Sequence, residues 1–152
     1  MSAGNSPDEP KAVALEYYTR LNTGGNILEL FAEDACCFFP KHSYARGIQE
    51  VTRLVMDVVP IYESLEHDVA TFSFFVQGNT VVVEGTSRGT LTEAAGGGTW
   101  TETEGGRFCQ VFECSGGKIT RLHYYLDPDY AGRDTARYPW LADQASSIGR
   151  VS

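Results

Sequence analysis

The order of apolar and polar residues predicts helices in the first part of the chain. Four apolar or aromatic residues recur there at helical spacing: Ala14, Tyr17, Tyr18 and Leu21. Such spacing places side chains on one face of a helix. The run Ser6-Pro7-Asp8-Glu9 resembles a capping box with proline at the first helical position. Thr23-Gly24-Gly25 predicts the end of this helix, because glycine accepts the left-handed conformation of a C-terminal cap.

Two further helices and one short strand are predicted before residue 60. Asn26 and Glu29 have the spacing of a helix start, which indicates a short second helix. The apolar run from Ala35 to Phe39 is typical of a strand. An apolar stripe from Ile48 to Val59 then repeats about every 3.6 residues, as on an amphipathic helix. Pro60 is expected to end this third helix.

Beyond Pro60 the pattern indicates strands joined by tight turns. We expect strands over approximately residues 66–77, 80–93, 100–114 and 118–126. Gly78-Asn79 and Ser115-Gly116-Gly117 fit hairpin turns, and a glycine-rich loop follows at 94–98. Helices first and a hairpin-linked sheet second predict an α+β fold with segregated elements.

Composition restricts the class of protein. The 152 residues suit one domain. The net charge of −8 argues against binding of nucleic acid or of an anionic membrane, since both need a basic patch. The N-terminal run lacks the regions of a signal peptide, and no apolar stretch approaches the ~18 residues of a membrane span. We therefore expect a cytoplasmic protein that binds a small molecule or another protein.

The cysteines and histidines do not predict a metal site. The four cysteines lack the paired spacing of zinc ligands and are expected to be reduced thiols that pack in the core. His67 lies beside Asp68, but neighbours on a strand point to opposite faces and do not form a dyad. We expect no metal and no other cofactor.

Three segments resemble one known superfamily. The first is Leu30-Phe31-Ala32-Glu33-Asp34-Ala35 after the first helix, and the second is Val83-Glu84-Gly85-Thr86-Ser87-Arg88-Gly89-Thr90. The third runs from Phe112 through Gly117-Lys118-Ile119 to Asp127. In this order they resemble the nuclear transport factor 2-like superfamily, which includes SnoaL-like polyketide cyclases, ketosteroid isomerases and limonene epoxide hydrolases. The resemblance covers about residues 12–130.

The resemblance implies a cystatin-like, nuclear transport factor 2-like fold. In this α+β fold a curved antiparallel sheet is wrapped by three N-terminal helices into a cone with a ligand pocket inside. Proteins of this kind are usually homodimers. The implied SnoaL-like domain spans residues 1–130, and a polar tail over 131–152 packs on it. In that tail Tyr138-Pro139-Trp140 is either an anchor or a lid over the pocket.

At most of the positions where the relatives carry catalytic residues, this chain has a different residue type. The tyrosine of ketosteroid isomerase falls on Tyr17, but its two aspartates fall on Phe39 and Phe108, which cannot carry a proton. The acid of the SnoaL-like cyclases falls on Tyr124. A tyrosine is a poor general base at neutral pH, yet its hydroxyl can donate to a developing oxyanion. The resemblance therefore implies rearranged catalytic groups.

The resemblance also implies which strand residues face the pocket. It selects three sets: Phe108, Gln110 and Phe112; Leu122, Tyr124 and Leu126; and Val82, Glu84, Thr86 and Arg88. From these, together with Phe39, we predict six substrate-binding residues: Phe39, Phe108, Gln110, Arg88, Phe112 and Leu122. Such a pocket, mostly apolar with a few polar groups, is typical of small-molecule sites.

Each candidate catalytic residue also has a structural interpretation. Glu84 would act as acid or base if burial raised its pKa, or it would turn outward and pair with Arg88 or Arg107. Tyr17 would donate to a substrate oxygen or pack on the sheet. His42 would shuttle protons at the pocket rim or stand exposed in a loop.

Arg88 also allows two interpretations. Its guanidinium would bind a carboxylate or phosphate of the ligand, or form a cross-strand ion pair with Glu104.

These observations lead to two functional hypotheses for the cone. In the first, the protein is a cofactor-independent isomerase, cyclase, dehydratase or epoxide hydrolase acting on an apolar or aromatic molecule. There Glu84 moves the proton, Tyr17 and Tyr124 stabilise the oxyanion, and Gln110 orients the ligand. In the second, it is a non-catalytic binding module or a dimeric assembly module of the same fold.

Overall fold

The computed structural model describes residues 9–100, 106–127 and 129. Over these residues the chain forms two α-helices and eight strands. In order they are α1 (Glu9–Thr23), β1 (Phe31–Phe39), β2 (Ser43–Arg46), α2 (Ile48–Val58), β3 (Tyr62–His67), β4 (Ser73–Gln77), β5 (Thr80–Leu91), β6 (Thr99–Trp100), β7 (Arg107–Ser115) and β8 (Lys118–Leu126). A short 3₁₀ helix, Ile27–Leu30, stands where the second helix was predicted.

The eight strands form one curved sheet, which confirms the α+β cone. Their order is β2-β1-β8-β7-β5-β3, and β4 and β6 also pair with β5. Neighbouring strands are antiparallel except β1 and β8, which run parallel. The expectation of an antiparallel sheet was therefore wrong for this pair. The two strands come from opposite ends of the described chain, so no hairpin turn fixes their relative direction.

Helix α1 lies against the concave face of the sheet. It buries Val13, Ala14, Tyr17 and Tyr18, so the predicted helical face is confirmed. Gly24 follows the helix with a φ of 71°, which suits glycine at a C-terminal cap. Helix α2 covers another part of the cone with Val51, Leu54 and Val58. The predicted N-terminal capping box includes residues 6–8, which lie outside the described residues.

The hairpin turns were predicted correctly, but one strand and one interruption were not. Gln77 pairs with Thr80 across the first turn, and Ser115 pairs with Lys118 across the second. Strand β2 was missed because only one of its four residues is buried, so it has no alternating pattern. The continuous strand predicted over 66–77 was also wrong. A 3₁₀ turn, Val69–Thr71, divides it into β3 and β4.

The turn between β3 and β4 places an aromatic ring on the backbone of β5. Phe72 is buried there, and a Cβ atom built on Gly85 would lie 2.5 Å from its Cδ1 atom. Only glycine permits this approach. The turn also ends β3 at His67, which brings that side chain to the inside of the cone.

Candidate functional site

A partly open cavity lies inside the cone, between the concave face of the sheet, α1 and α2. It holds about 740 Å³, counting the open space at its mouth. Its walls are mainly apolar and aromatic. The described lining residues are Tyr17, Leu21, Ile27, Phe31, Cys37, Phe39, Leu54, Val55, Val58, Val59, Tyr62, Leu65, His67, Ser87, Gly106, Phe108, Gln110, Tyr124 and Leu126. Among them there is no Asp or Glu.

Two tyrosine hydroxyls meet in the wall of this cavity. Tyr17 on α1 and Tyr124 on β8 are joined by a hydrogen bond between their hydroxyl groups. Burial raises the pKa of each phenol above its ordinary value, so both are neutral at physiological pH. The ring of Phe39 packs on Tyr124 with 5.0 Å between ring centroids. The pair therefore presents hydroxyl groups within an aromatic surface.

A second polar pair joins the same helix to β7. The hydroxyl of Tyr18 donates a hydrogen bond to Oε1 of Gln110, and both side chains are buried. Since a buried amide oxygen without a partner is costly, the Tyr18 hydroxyl stabilises Gln110 in its inward position. Gln110 lines the cavity as predicted, and Tyr18 packs behind it.

His67 adds an imidazole to the cavity wall. Its ring lies 5.3 Å from Tyr18 and 5.7 Å from Phe108, measured between centroids. Burial lowers the pKa of His67 to about 4, so the ring is neutral at neutral pH. The side chain of Asn22, at the end of α1, is hydrogen-bonded to both the backbone and the ring of His67.

Ser87 and Cys37 complete the polar lining. Ser87 is the cross-strand partner of His67, and its hydroxyl donates to the carbonyl oxygen of Gly106 at 3.3 Å. Burial raises the pKa of the Cys37 thiol to about 12. A thiol that stays protonated is a poor nucleophile, so Cys37 contributes packing rather than chemistry.

Seven of the residues predicted for the site face the interior of the cone. Five line the cavity itself: Tyr17, Tyr124, Phe39, Phe108 and Gln110. Phe112 and Leu122 point the same way but are fully buried outside the described lining. The alternate residues of β7 and β8 that were expected to point into the cone therefore do so in the structure. The roles of these residues in binding or catalysis stay predictions.

The inward placement of Glu84 and Arg88 was wrong. Glu84 has 53% of its side chain exposed and forms an ion pair with Arg107 at 3.5 Å. Val83 and Gly85, its neighbours, are cross-strand partners of the inward-facing Gln110 and Phe108. Partners share a face, so Glu84 must point outward. The apolar run ahead of it could not reveal this, because Val81, Val82 and Val83 suit either face.

Arg88 also faces outward, where it forms a bidentate ion pair with Glu66. Its Nη2 atom lies 2.6 Å from Oε1 of Glu66, and its Nε atom donates to Oε2 at 3.0 Å. This pairing lowers the pKa of Glu66. Arg88 thus forms a cross-strand ion pair with Glu66. The partner predicted for it, Glu104, lies outside the described residues.

His42 is not part of the described cavity wall. It is exposed in the turn after β1, with Nδ1 3.3 Å from the carbonyl oxygen of Pro40. Its ring contacts Phe39 with 5.6 Å between centroids. The structure thus matches the exposed-loop interpretation, and a role of His42 in proton transfer stays a prediction. Strand β1 ends just before Pro40, and a turn that contains His42 follows.

His67 is among the cavity residues that were not predicted from the sequence. Leu65 and His67 are two positions apart on β3 and both line the cavity, while Glu66 between them is exposed. This alternation was present in the sequence as a signal. The run was misread as the start of a strand that extends to residue 77, which hid the end of β3.

Metal-ligand groups and membrane-spanning helices were also sought among the described residues. No group of three His, Cys, Asp or Glu side chains among them is arranged to hold a metal ion. None of their helices has the length and apolar character needed to cross a membrane. The cytoplasmic location, and the division into a domain over 1–130 and a tail over 131–152, stay predictions. Residues 130–152 lie outside the described residues.

A curved sheet around a helix, with a cavity on its concave face, defines a nuclear transport factor 2-like fold. The sequence matches the SnoaL-like domain over residues 14–122. This chain belongs to the SnoaL-like domain family. A comparison with curated proteins found no match.

Solved structures share the fold at low sequence identity. An NTF2-like protein from Burkholderia xenovorans LB400 is 18% identical, with a TM-score of 0.65 over 86% of this chain and 98% of that chain. A proposed polyketide cyclase from Xanthomonas campestris pv. campestris is 16% identical, with a TM-score of 0.65 over 80% of this chain and 93% of that chain. TerC, co-crystallised with polyporic acid, is 20% identical, with a TM-score of 0.60 over 80% of this chain and 92% of that chain. Identities this low establish the fold alone.

Proposed function

We propose that this chain binds a small, largely apolar or aromatic organic molecule that carries a carbonyl or hydroxyl oxygen. The observation that carries the proposal is the hydrogen-bonded hydroxyl pair of Tyr17 and Tyr124 inside an aromatic cavity. Apolar walls favour a ligand of the same character, and a few polar groups fix its orientation. TerC, which shares the fold, was co-crystallised with an organic molecule, polyporic acid.

The hydroxyl pair is suited to hold a ligand oxygen. When one hydroxyl donates to the other, the proton of the second remains available to the ligand. Hydrogen bonds in such a chain strengthen one another. Donors fixed in a site with little water stabilise negative charge that develops on a carbonyl oxygen. The raised pKa values of both phenols keep them in the donating form.

This arrangement favours cofactor-independent acid–base chemistry over binding alone. Isomerisation, cyclisation, dehydration and epoxide opening all develop negative charge on an oxygen. Glu84 is not available to the cavity as a base, since its carboxylate is on the outer surface. The alternative is a non-catalytic binding module, which would use the same hydroxyl pair without turnover. The aromatic side chains Phe39 and Phe108, at positions that carry aspartates in some relatives, favour that alternative.

Binding of an aromatic ketone tests the proposal. The probe is 2-tetralone, with binding followed by the NMR signals of Gln110 and Ser87. We expect saturable shifts, and affinity that falls roughly three- to tenfold in Tyr124→Phe. Tyr125→Phe is the matched control, because Tyr125 follows directly in the chain but is 52% exposed. Absence of binding, or equal affinities in all three proteins, would refute the proposal.

We also propose that the outer face of the sheet joins two copies of this chain. One cross-strand row runs over six strands: Phe75, Val82, Val111, His123, Phe38 and Tyr44. Phe75 is 59% and Tyr44 is 52% exposed at its two ends. A row of large apolar and aromatic side chains over the full width of a sheet is typical of an interaction surface. A second copy would cover it symmetrically.

A further inference from the structure

Asn22 and His67 form a hydrogen-bonded unit at the edge of the cavity. The Asn22 side chain donates from Nδ2 to the carbonyl oxygen of His67 at 2.8 Å. Its Oδ1 accepts from the backbone N–H of His67 at 3.0 Å. The same Oδ1 lies 3.3 Å from Nδ1 of the His67 ring. One side-chain amide therefore contacts both the backbone and the ring of the same histidine.

These contacts determine the orientation of the amide of Asn22. If its oxygen and nitrogen were exchanged, an NH₂ group would face the backbone N–H of His67, and an oxygen would face the carbonyl. Both contacts would then be repulsive. The oxygen of Asn22 must therefore be the atom beside the imidazole.

The orientation of Asn22 in turn selects one tautomer of His67. An amide oxygen only accepts hydrogen bonds, so the proton of the neutral ring belongs on Nδ1. Nε2 then carries the lone pair. In an imidazole ring the two nitrogens project in widely different directions, so Nε2 points away from Asn22. None of the described residues is hydrogen-bonded to Nε2 of His67. This nitrogen is also not one of the fully buried polar atoms that lack a hydrogen-bond partner.

The surroundings of the ring keep it neutral, so the lone pair on Nε2 is not taken up by a proton at neutral pH. It lies among the rings of Tyr18, Phe72 and Phe108. Burial lowers its pKa to about 4. The charged groups nearest in the chain, Glu66 and Asp68, are exposed. Burial thus weakens His67 as a base, but its lone pair is directed by Asn22, and the described lining of the cavity has no carboxylate that could take its place.

We propose that His67 is the proton-accepting residue of this cavity and that Asn22 positions it. The proposal rests on the function proposed above. Nε2 removes a proton from a carbon beside the carbonyl of the bound ligand. The electron pair of that C–H bond forms a C=C bond, and the carbonyl electrons move to the oxygen. The remaining hydroxyl proton of the Tyr17–Tyr124 pair is donated in a hydrogen bond to this enolate oxygen. When the proton on Nε2 is replaced by one from solvent before it returns to the same carbon, the result is hydrogen exchange. Return to another carbon is an isomerisation, and either step restores neutral His67.

Hydrogen exchange in 2-tetralone measures this step directly. In D₂O at neutral pH, loss of the NMR signals of the protons beside its carbonyl reports enolate formation. We expect the wild-type protein to exchange them faster than buffer. His67→Gln should lower this protein-dependent rate by about tenfold or more, while 2-tetralone still binds. Asp68→Asn is the control, because it alters the exposed neighbour of His67 and should exchange at the wild-type rate.

The outcomes separate this inference from the proposed function. Binding without any exchange above buffer would overturn the role of His67 and leave a binding protein. Equal exchange rates in His67→Gln and wild type would do the same, whereas no binding at all would overturn the proposed function first. A ¹⁵N NMR spectrum of the imidazole groups gives a second measurement that needs no variant. We expect the proton of His67 on Nδ1, and a proton on Nε2 instead would overturn the inference.

Discussion

Asn22 links the end of helix α1 to the end of strand β3 through His67. Its side chain is hydrogen-bonded to both the N–H and the carbonyl oxygen of the His67 backbone. These bonds fix the histidine where the sheet turns away at Asp68. The same contact connects two walls of the cavity, because residues of α1 and β3 both line it. The structure of the wall and the state of the imidazole thus depend on one amide.

Replacing Asn22 by aspartate should raise the pKa of His67. The new carboxylate would keep an oxygen beside Nδ1 but add a negative charge, which stabilises the imidazolium form. We expect the pKa of His67 to move upward from about 4. An NMR titration of the ring protons measures it. The pH dependence of 2-tetralone exchange should shift in the same direction.

Asn22→Ala removes the side-chain amide without adding a charge, so it separates the effect of losing the amide from the effect of the carboxylate in Asn22→Asp. It removes the acceptor beside Nδ1, so we expect both tautomers of His67 to be populated. Binding of 2-tetralone should change little while its exchange slows. If Asn22→Asp left the pKa of His67 unchanged, Asn22 would not position the ring.

Burial of neutral His67 should make the protein less stable in acid. The pKa of His67 falls from 6.5 to about 4 on folding, so between these values the unfolded chain binds the proton and the folded chain does not. This proton binding stabilises the unfolded state. From pH 7 to pH 4 it should cost about 3 kcal/mol of unfolding free energy.

Urea denaturation of wild type and His67→Gln over this pH range measures the effect. The glutamine variant retains every other titrating group, so the difference between the two curves isolates His67. We expect wild type to lose stability more steeply as the pH falls from 6.5 to 4. Parallel curves would mean that His67 is accessible to protons in the folded state.

The hydroxyl pair should show strong coupling in a double-mutant cycle. Tyr17→Phe or Tyr124→Phe alone removes one hydroxyl and leaves its partner buried without its bond. Each should lower the free energy of unfolding by about 1–3 kcal/mol. The double variant should cost less than the sum, since no unpaired hydroxyl remains. Additive losses would show that the two hydroxyls do not interact.

Gly85→Ala should destabilise the fold through a single contact. The new methyl group would lie 2.5 Å from the ring of Phe72, so the ring or strand β5 must move. We expect a loss of about 1–3 kcal/mol in urea denaturation. Phe72→Leu in the same background should restore part of that loss, because it removes the ring atoms involved. Thr86→Ala, at the next position of β5, serves as the control.

The outer row of the sheet predicts a dimer that one charge should disrupt. Phe75→Asp would place a carboxylate in the proposed contact between two apolar surfaces, where its desolvation is unfavourable. We expect sedimentation to show a dimer for wild type and a shift toward monomer for this variant. Met56→Asp is the control, since Met56 on α2 is 65% exposed but is not on the sheet. A monomeric wild type at micromolar concentration would contradict the proposal.

The sequence determined the elements that depend on local patterns. The periodic faces of α1 and α2, the glycine turns at 78 and 116–117, and the alternation along β7 and β8 all lie within short segments. Local sterics and burial act at that range, so these features could be predicted. The resemblance of three segments to one superfamily added the cone and its pocket. Together they placed Tyr17, Tyr124 and Gln110 in the interior.

Only the tertiary structure decided which face of β5 is inside and where β3 ends. Val81, Val82 and Val83 suit either face, and the choice is made by pairing with β7, which orients Glu84 outward. His67 depends on the end of β3 and on Asn22, a residue 45 positions away. Pairing register and long-range hydrogen bonds are properties of the assembled sheet. No local pattern in the sequence encodes them.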